Sequence, residues 1–108
     1  MEARISEQAG VSILQVSGEI NISTSPDLRK VFEKNTSKKV VVDLEKVSYI
    51  DSSGLATLVE MLKKMRSQGG SLGLSGMSDK VRSLFEITKL DKLFLVYKTQ
   101  AEAVSQAK

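Results

Sequence analysis

The chain has 108 residues, 41% apolar and 27% charged, with a net charge of +3, the balance of one globular domain with one core, spanning 1–108. It contains no cysteine and no histidine, which excludes disulfides, thiolate or imidazole metal sites and a Ser-His-Asp relay. Its lysines are interleaved with acids, no run approaches the ~18 apolar residues of a membrane span, and Met1-Glu2-Ala3-Arg4-Ile5 has no secretory core. The expectation is a cytoplasmic protein that binds neither a membrane nor nucleic acid directly.

Ala3 and Ile5 alternate with Arg4 and Ser6, the period of a short edge strand. Glu7-Gln8-Ala9-Gly10 reads as a turn, and Val11 to Val16 as a second strand paired back on the first. Gly18-Glu19-Ile20-Asn21 is then expected to leave the sheet. Ser25-Pro26-Asp27 combines a capping hydroxyl, a proline at the first helical position and an acid in the first turn. Leu28, Val31 and Phe32 supply the stripe of a helix that ends near Asn35-Thr36.

Val40-Val41-Val42 is β-branched and unalternated, as a central strand covered on both faces requires. A helix over 53–68 follows and stops at Gly69-Gly70. Leu72 and Leu74 mark a fourth strand, and Ser78 caps a third helix whose face carries Val81, Leu84, Phe85 and Thr88. Leu93 to Tyr97 is a last strand, and Thr99-Gln100-Ala101-Glu102 is a capping box that opens a C-terminal helix. The order ββαβαβαβα predicts an α/β fold: a mixed, mainly parallel β-sheet with an N-terminal antiparallel hairpin and about four α-helices. In such a sheet the loops at the C-terminal ends of the parallel strands meet on one edge, here 18–25, 48–53 and 76–79.

Gly70, Gly73 and Gly76 make a G-x-x-G-x-x-G spacing, which is neither the dinucleotide fingerprint nor the phosphate loop. They read as tight turns and close packing, so a small-ligand or nucleotide-binding domain is the least supported class. Asp43, Glu45 and Asp51 are the acids nearest the end of the third strand. Short connections leave no cleft for a carboxylate pair. No catalytic residue, cofactor or metal is therefore assigned, and the chain does not read as an enzyme.

Asp51-Ser52-Ser53-Gly54 stands where the buried strand gives way to the helix. Ser or Asp there is a helix cap, and Gly allows the tight turn. The same helix N-terminus accommodates negative charge, so a phosphorylated serine is also compatible with it. At about 100° per residue, Leu55, Leu58, Val59, Leu62 and Met65 share one side, with Ser53 opposite, beside Thr57, Glu60 and Lys64. Ser52 points nearer the core boundary, so Ser53 is expected to be the more exposed hydroxyl. Met61 and Met65 lie towards a border of the stripe and Met77 in an edge loop; methionine serves both in core packing and on partner surfaces.

Val40-Val41-Val42-Asp43-Leu44, then Val47 and Ile50-Asp51-Ser52-Ser53-Gly54-Leu55, resembles the core signature of STAS domains. The match is best to the small stand-alone anti-sigma factor antagonists of bacteria. Gly18-Glu19-Ile20-Asn21 with Ser25-Pro26-Asp27-Leu28 resembles that family's first loop and helix start, and Gly69-Gly70 and the Leu72–Leu74 strand fall in register, so the resemblance covers essentially the whole chain. It implies a non-enzymatic protein whose unphosphorylated form binds an anti-sigma factor, itself a serine kinase, and so releases a sigma factor. Phosphorylation by that kinase switches binding off, and a PP2C-type phosphatase restores it. In the family the serine immediately before the glycine is modified, which by motif position is Ser53. The implied partner-binding residues are Asn21, Ser23, Thr24, Asp51, Ser52, Ser53, Gly54, Met77 and Ser78. Asn21 stands where the family commonly has Asp, a charge fewer on that edge. A second reading keeps the fold and makes the chain an adaptor subunit of a stress-signalling or lipid-transport assembly, with the serine an interface residue.

Overall fold

The computed structural model describes residues 1–107, which form β1 (Glu2–Gln8), β2 (Val11–Ile20), α1 (Ser25–Phe32), β3 (Lys39–Ile50), α2 (Ser52–Ser67), β4 (Ser71–Ser75), α3 (Asp79–Ile87), a 3-10 turn (Leu90–Lys92), β5 (Leu95–Tyr97) and α4 (Gln100–Ala107). The strands lie in the order β1-β2-β3-β4-β5. β1 and β2 are antiparallel and every other neighbouring pair is parallel, the α/β arrangement expected. Ala9 and Gly10 join the hairpin with φ of 54° and 79°, a left-handed pair whose twist matches that of the strands it connects.

Successive residues of a strand face opposite sides of a sheet, and both sides of β3 are covered. Val40, Val42, Leu44 and Ile50 pack with Leu14, Ile20, Leu28, Leu58, Met65, Leu74 and Phe85 in the main core beneath α1, α2 and α3. Val41 joins Val11 and Ile13 in a smaller cluster under Ala103 and Val104 of α4. An unalternated valine run is the consequence. Phe85 and Phe94 close the α3 side edge-to-face, 5.8 Å between centroids, the arrangement aromatic quadrupoles favour.

The structure departs from expectation where long-range pairing extends an element. β2 does not leave the sheet at Gly18. It continues to Ile20 through register shifts at Gln15/Ser17 and Gly18/Glu19, because β3 runs on to Ile50 and pairs with it there. β4 matches only residues 39–43 of β3, so the far end of β3 projects past it. Asp43 is consequently no strand end: it is buried at 3% exposure. Its Oδ1 accepts the Glu45 N–H at 3.0 Å, and its Oδ2 accepts from Gln100 Nε2 at 2.8 Å, tying α4 to the sheet.

α1 stops at Phe32 rather than near Thr36. Asn35 turns the chain instead, its Oδ1 accepting the Ser37 N–H at 3.0 Å, the self-bonding asparagine of a turn. β5 begins at Leu95, two residues later than expected, because the preceding segment is drawn into the 3-10 turn and Arg66 Nη2 donates to the Leu93 carbonyl at 2.9 Å.

Candidate functional site

A single residue, Asp51, separates β3 from α2. Its backbone is extended, with φ −90° and ψ −178°, and its N–H donates to the Ile20 carbonyl at 3.0 Å. One carboxylate oxygen, Oδ1, accepts the Gly54 N–H at 2.8 Å. The other, Oδ2, accepts the Ile22 N–H at 3.1 Å. Of the candidate caps, then, the structure selects Asp51, and Ser52 and Ser53 are the first residues of the helix proper. The carboxylate also joins two loops that are 29 residues apart in sequence.

Gly54 is required by close approach. A Cβ there would lie 2.6 Å from the Ile20 carbonyl oxygen and 2.7 Å from Ile50 Cγ2. The first turn of α2 is thus seated directly on the ends of β2 and β3. Gly54 is buried and offers a partner no surface; it sets the position of the two serines.

Asn21 organises the neighbouring loop. Its Oδ1 accepts the Ser23 and Thr24 N–H groups at 2.9 and 3.1 Å. Thr24 Oγ1 accepts the Asn21 N–H at 2.9 Å and donates to the Glu19 carbonyl at 3.0 Å. These bonds need an acceptor oxygen and not a negative charge, so an amide here does the work an Asp carboxylate would do. Ser25 is not the cap that the Ser25-Pro26-Asp27 pattern predicts. Thr24 occupies the cap position, and the Ser25 hydroxyl is buried without a hydrogen-bond partner among the described residues. The loop presents Ser23 and Ile22 to solvent, Ile22 at 72% exposure.

Helix projection ordered the two serines wrongly: Ser52 is exposed and Ser53 is half-buried. The buried face of α2 comprises Gly54, Leu55, Thr57, Leu58, Met61, Leu62 and Met65, a stripe rotated by about 50° from the one the apolar residues alone define. Thr57 joins it because its hydroxyl donates to the Ser53 carbonyl at 2.9 Å, so its own polar group is paired on burial. Met61 and Met65 are core residues, and Val59 is pushed to the rim.

Met77 stands in the loop between β4 and α3, as expected, but its side chain is buried in the main core at 8% exposure and is not open to a partner. Ser78 is exposed, but its hydroxyl accepts the Val81 N–H at 3.2 Å and caps α3. That third loop lies back from the Asp51 turn, with Gly76 against Asp43 and Glu45. α3 reaches the edge through Lys80, whose Nζ sits 5.5 Å from the Tyr49 ring centre.

Two residues of this edge went unread in the sequence. Ile22 and Tyr49 are apolar or aromatic yet 72% and 38% exposed. The available signal for Ile22 was an isoleucine between turn-forming Asn21 and Ser23, outside any apolar periodicity. From Ser52 an open groove of about 490 Å³ runs along α2, walled by Leu55, Ala56, Val59, Thr88 and Leu90 and edged by Glu60 and Lys63.

A mixed sheet with an N-terminal hairpin, and an Asp-capped serine pair on the edge where its parallel strands end, define a STAS architecture. The STAS domain family model matches residues 2–103, and the chain belongs to that family. It is 37% identical over 86 residues to an anti-sigma-B factor antagonist of Staphylococcus aureus, covering 77% of this chain and 80% of that protein. It is 37% identical over 90 residues to the anti-sigma-B factor antagonist of Listeria monocytogenes, covering 81% and 79%. An anti-sigma factor antagonist from Mycobacterium paratuberculosis has a crystal structure similar to this one, with a TM-score of 0.88 and 28% identity over 98% of this chain and 92% of that one.

Proposed function

We propose that this chain is a cytoplasmic anti-sigma factor antagonist. Its unphosphorylated form docks the Asp51 edge onto an anti-sigma factor kinase and releases a sigma factor. A phosphate on the Asp51–Gly54 turn ends that binding, and a PP2C-type phosphatase removes it. The protein is the substrate in this cycle and catalyses nothing. The named relatives support this role over that of an adaptor subunit in a stress-signalling or lipid-transport assembly.

The observation that carries the reading is an exposed hydroxyl at the first position of a capped helix, beside a solvent-facing isoleucine. The greater exposure of Ser52 supports it as the acceptor in place of Ser53, the position implied by family resemblance. A phosphate adds roughly −1.5 to −2 charges, which a helix N-terminus tolerates without unfolding. Its effect falls at the partner surface, where desolvating a dianion is costly.

The test is phosphate transfer from radiolabelled ATP by the cognate kinase. Stoichiometric incorporation that is lost in Ser52→Ala and kept in Ser53→Ala supports the assignment. Loss in Ser53→Ala alone returns the acceptor to Ser53, and incorporation surviving both sinks the switch at this turn. Purification with partners distinguishes the roles: a histidine-kinase-like ATPase supports the antagonist, and transporter subunits support the adaptor.

A further inference from the structure

We propose that Asp51 is a strut through which the state of Ser52 sets the position of Ile22; the inference rests on the reading of Ser52 as the modified residue. The Asp51 carboxylate is engaged in two directions, Oδ1 accepting the Gly54 N–H at 2.8 Å and Oδ2 the Ile22 N–H at 3.1 Å. The first bond caps α2. The second is the only side-chain hydrogen bond to Ile22 among the described residues, and it crosses from α2 to the loop that presents an isoleucine at 72% exposure.

A phosphate on Ser52 places a second, larger anion on the residue next to that carboxylate. Both compete for the amides of the first helical turn, and like charges repel. The Gly54 amide keeps an anionic acceptor whichever of the two groups bonds it. The Ile22 amide has no such alternative, because it belongs to a different loop. Displacement of the carboxylate therefore releases Ile22 while the helix remains capped. The modification state is written not only as charge but as the placement of an apolar side chain that a docking protein would bury.

Backbone amide exchange in the full-length chain, followed by NMR, tests this without any partner. Phosphoserine is installed at position 52 during synthesis. Loss of one hydrogen bond predicts exchange at Ile22 that is faster by about tenfold, with Gly54 still protected and the core amides of Val42 and Leu58 unchanged. Asp51→Asn and Asp51→Ser carry good capping groups but a single acceptor oxygen in place of two, so unphosphorylated forms of both should reproduce fast exchange at Ile22 alone. Ile22 exchange within about twofold of wild type in the phosphoserine protein, or in both Asp51 variants, overturns the strut. So does acceleration at Val42 and Leu58 as well, since that is general destabilisation. Because the phosphate is installed chemically, a cognate kinase that ignores Ser52 would refute the proposed function and leave this result standing.

Discussion

Gly54→Ala is the sharpest probe of how the serine turn is built. Ordinary contact of a Cβ begins near 3.4 Å, and here the Ile20 carbonyl oxygen stands at 2.6 Å, about 0.8 Å too close. That oxygen is backbone and already accepts the Asp51 N–H at 3.0 Å, so it cannot turn aside. The first turn of α2 must lift instead, straining the 2.8 Å bond from Gly54 to Asp51 and the packing of fully buried Leu58. Overpacking of this kind costs about 1–3 kcal/mol, and alanine recovers up to about 1 kcal/mol of helix propensity. The clash wins, because a rigid neighbour on either side leaves no space to share. A net loss of about 1–2 kcal/mol lowers the melting temperature by roughly 5–10 °C for a domain of this size, read by calorimetry or circular dichroism. Lifting the turn also separates Asp51 from Ile22, so partner binding should weaken beyond what unfolding explains. A melting temperature equal to or above that of wild type would refute the seating of α2 on the strand ends.

Three further substitutions probe the rest of the molecule. Gln100→Ala leaves an oxygen of the buried Asp43 carboxylate unpaired, so it should cost about 1–3 kcal/mol and render the C-terminal helix sensitive to limited proteolysis. Met77→Ala removes a side chain from the main core and should cost about 2–5 kcal/mol in denaturant unfolding; a near-neutral result would return Met77 to the surface. Arg29→Ala breaks the 3.0 Å ion pair with Glu60 between α1 and α2. Both side chains are well exposed, so the loss should stay within about 1 kcal/mol and shrink further in high salt.

Local chemistry alone determined the order of the elements. The valine run demanded a strand covered on both faces, and Gly69-Gly70 ended the second helix. Thr99 announced α4, and its hydroxyl does accept the Glu102 N–H at 3.1 Å. The Asp51–Gly54 turn was legible as a cap at a strand-helix junction, because only a few residue types satisfy the free amides of a helix start.

What local chemistry could not reach was anything decided between segments. Strand lengths depend on the partner strand: β2 runs to Ile20 because β3 extends to Ile50 alongside it. The face of α2 depends on non-apolar residues that happen to be buriable, Gly54 by having no side chain and Thr57 by bonding the Ser53 carbonyl. That rotation put Ser52 outside and drew Ser53 inwards. The meeting of Asp51 with Ile22 spans 29 residues of chain and leaves no periodic trace. Composition and spacing determined that a capped serine pair would stand at the sheet edge; the packing of α2 onto two strand ends decided which serine faces solvent and which loop the cap holds.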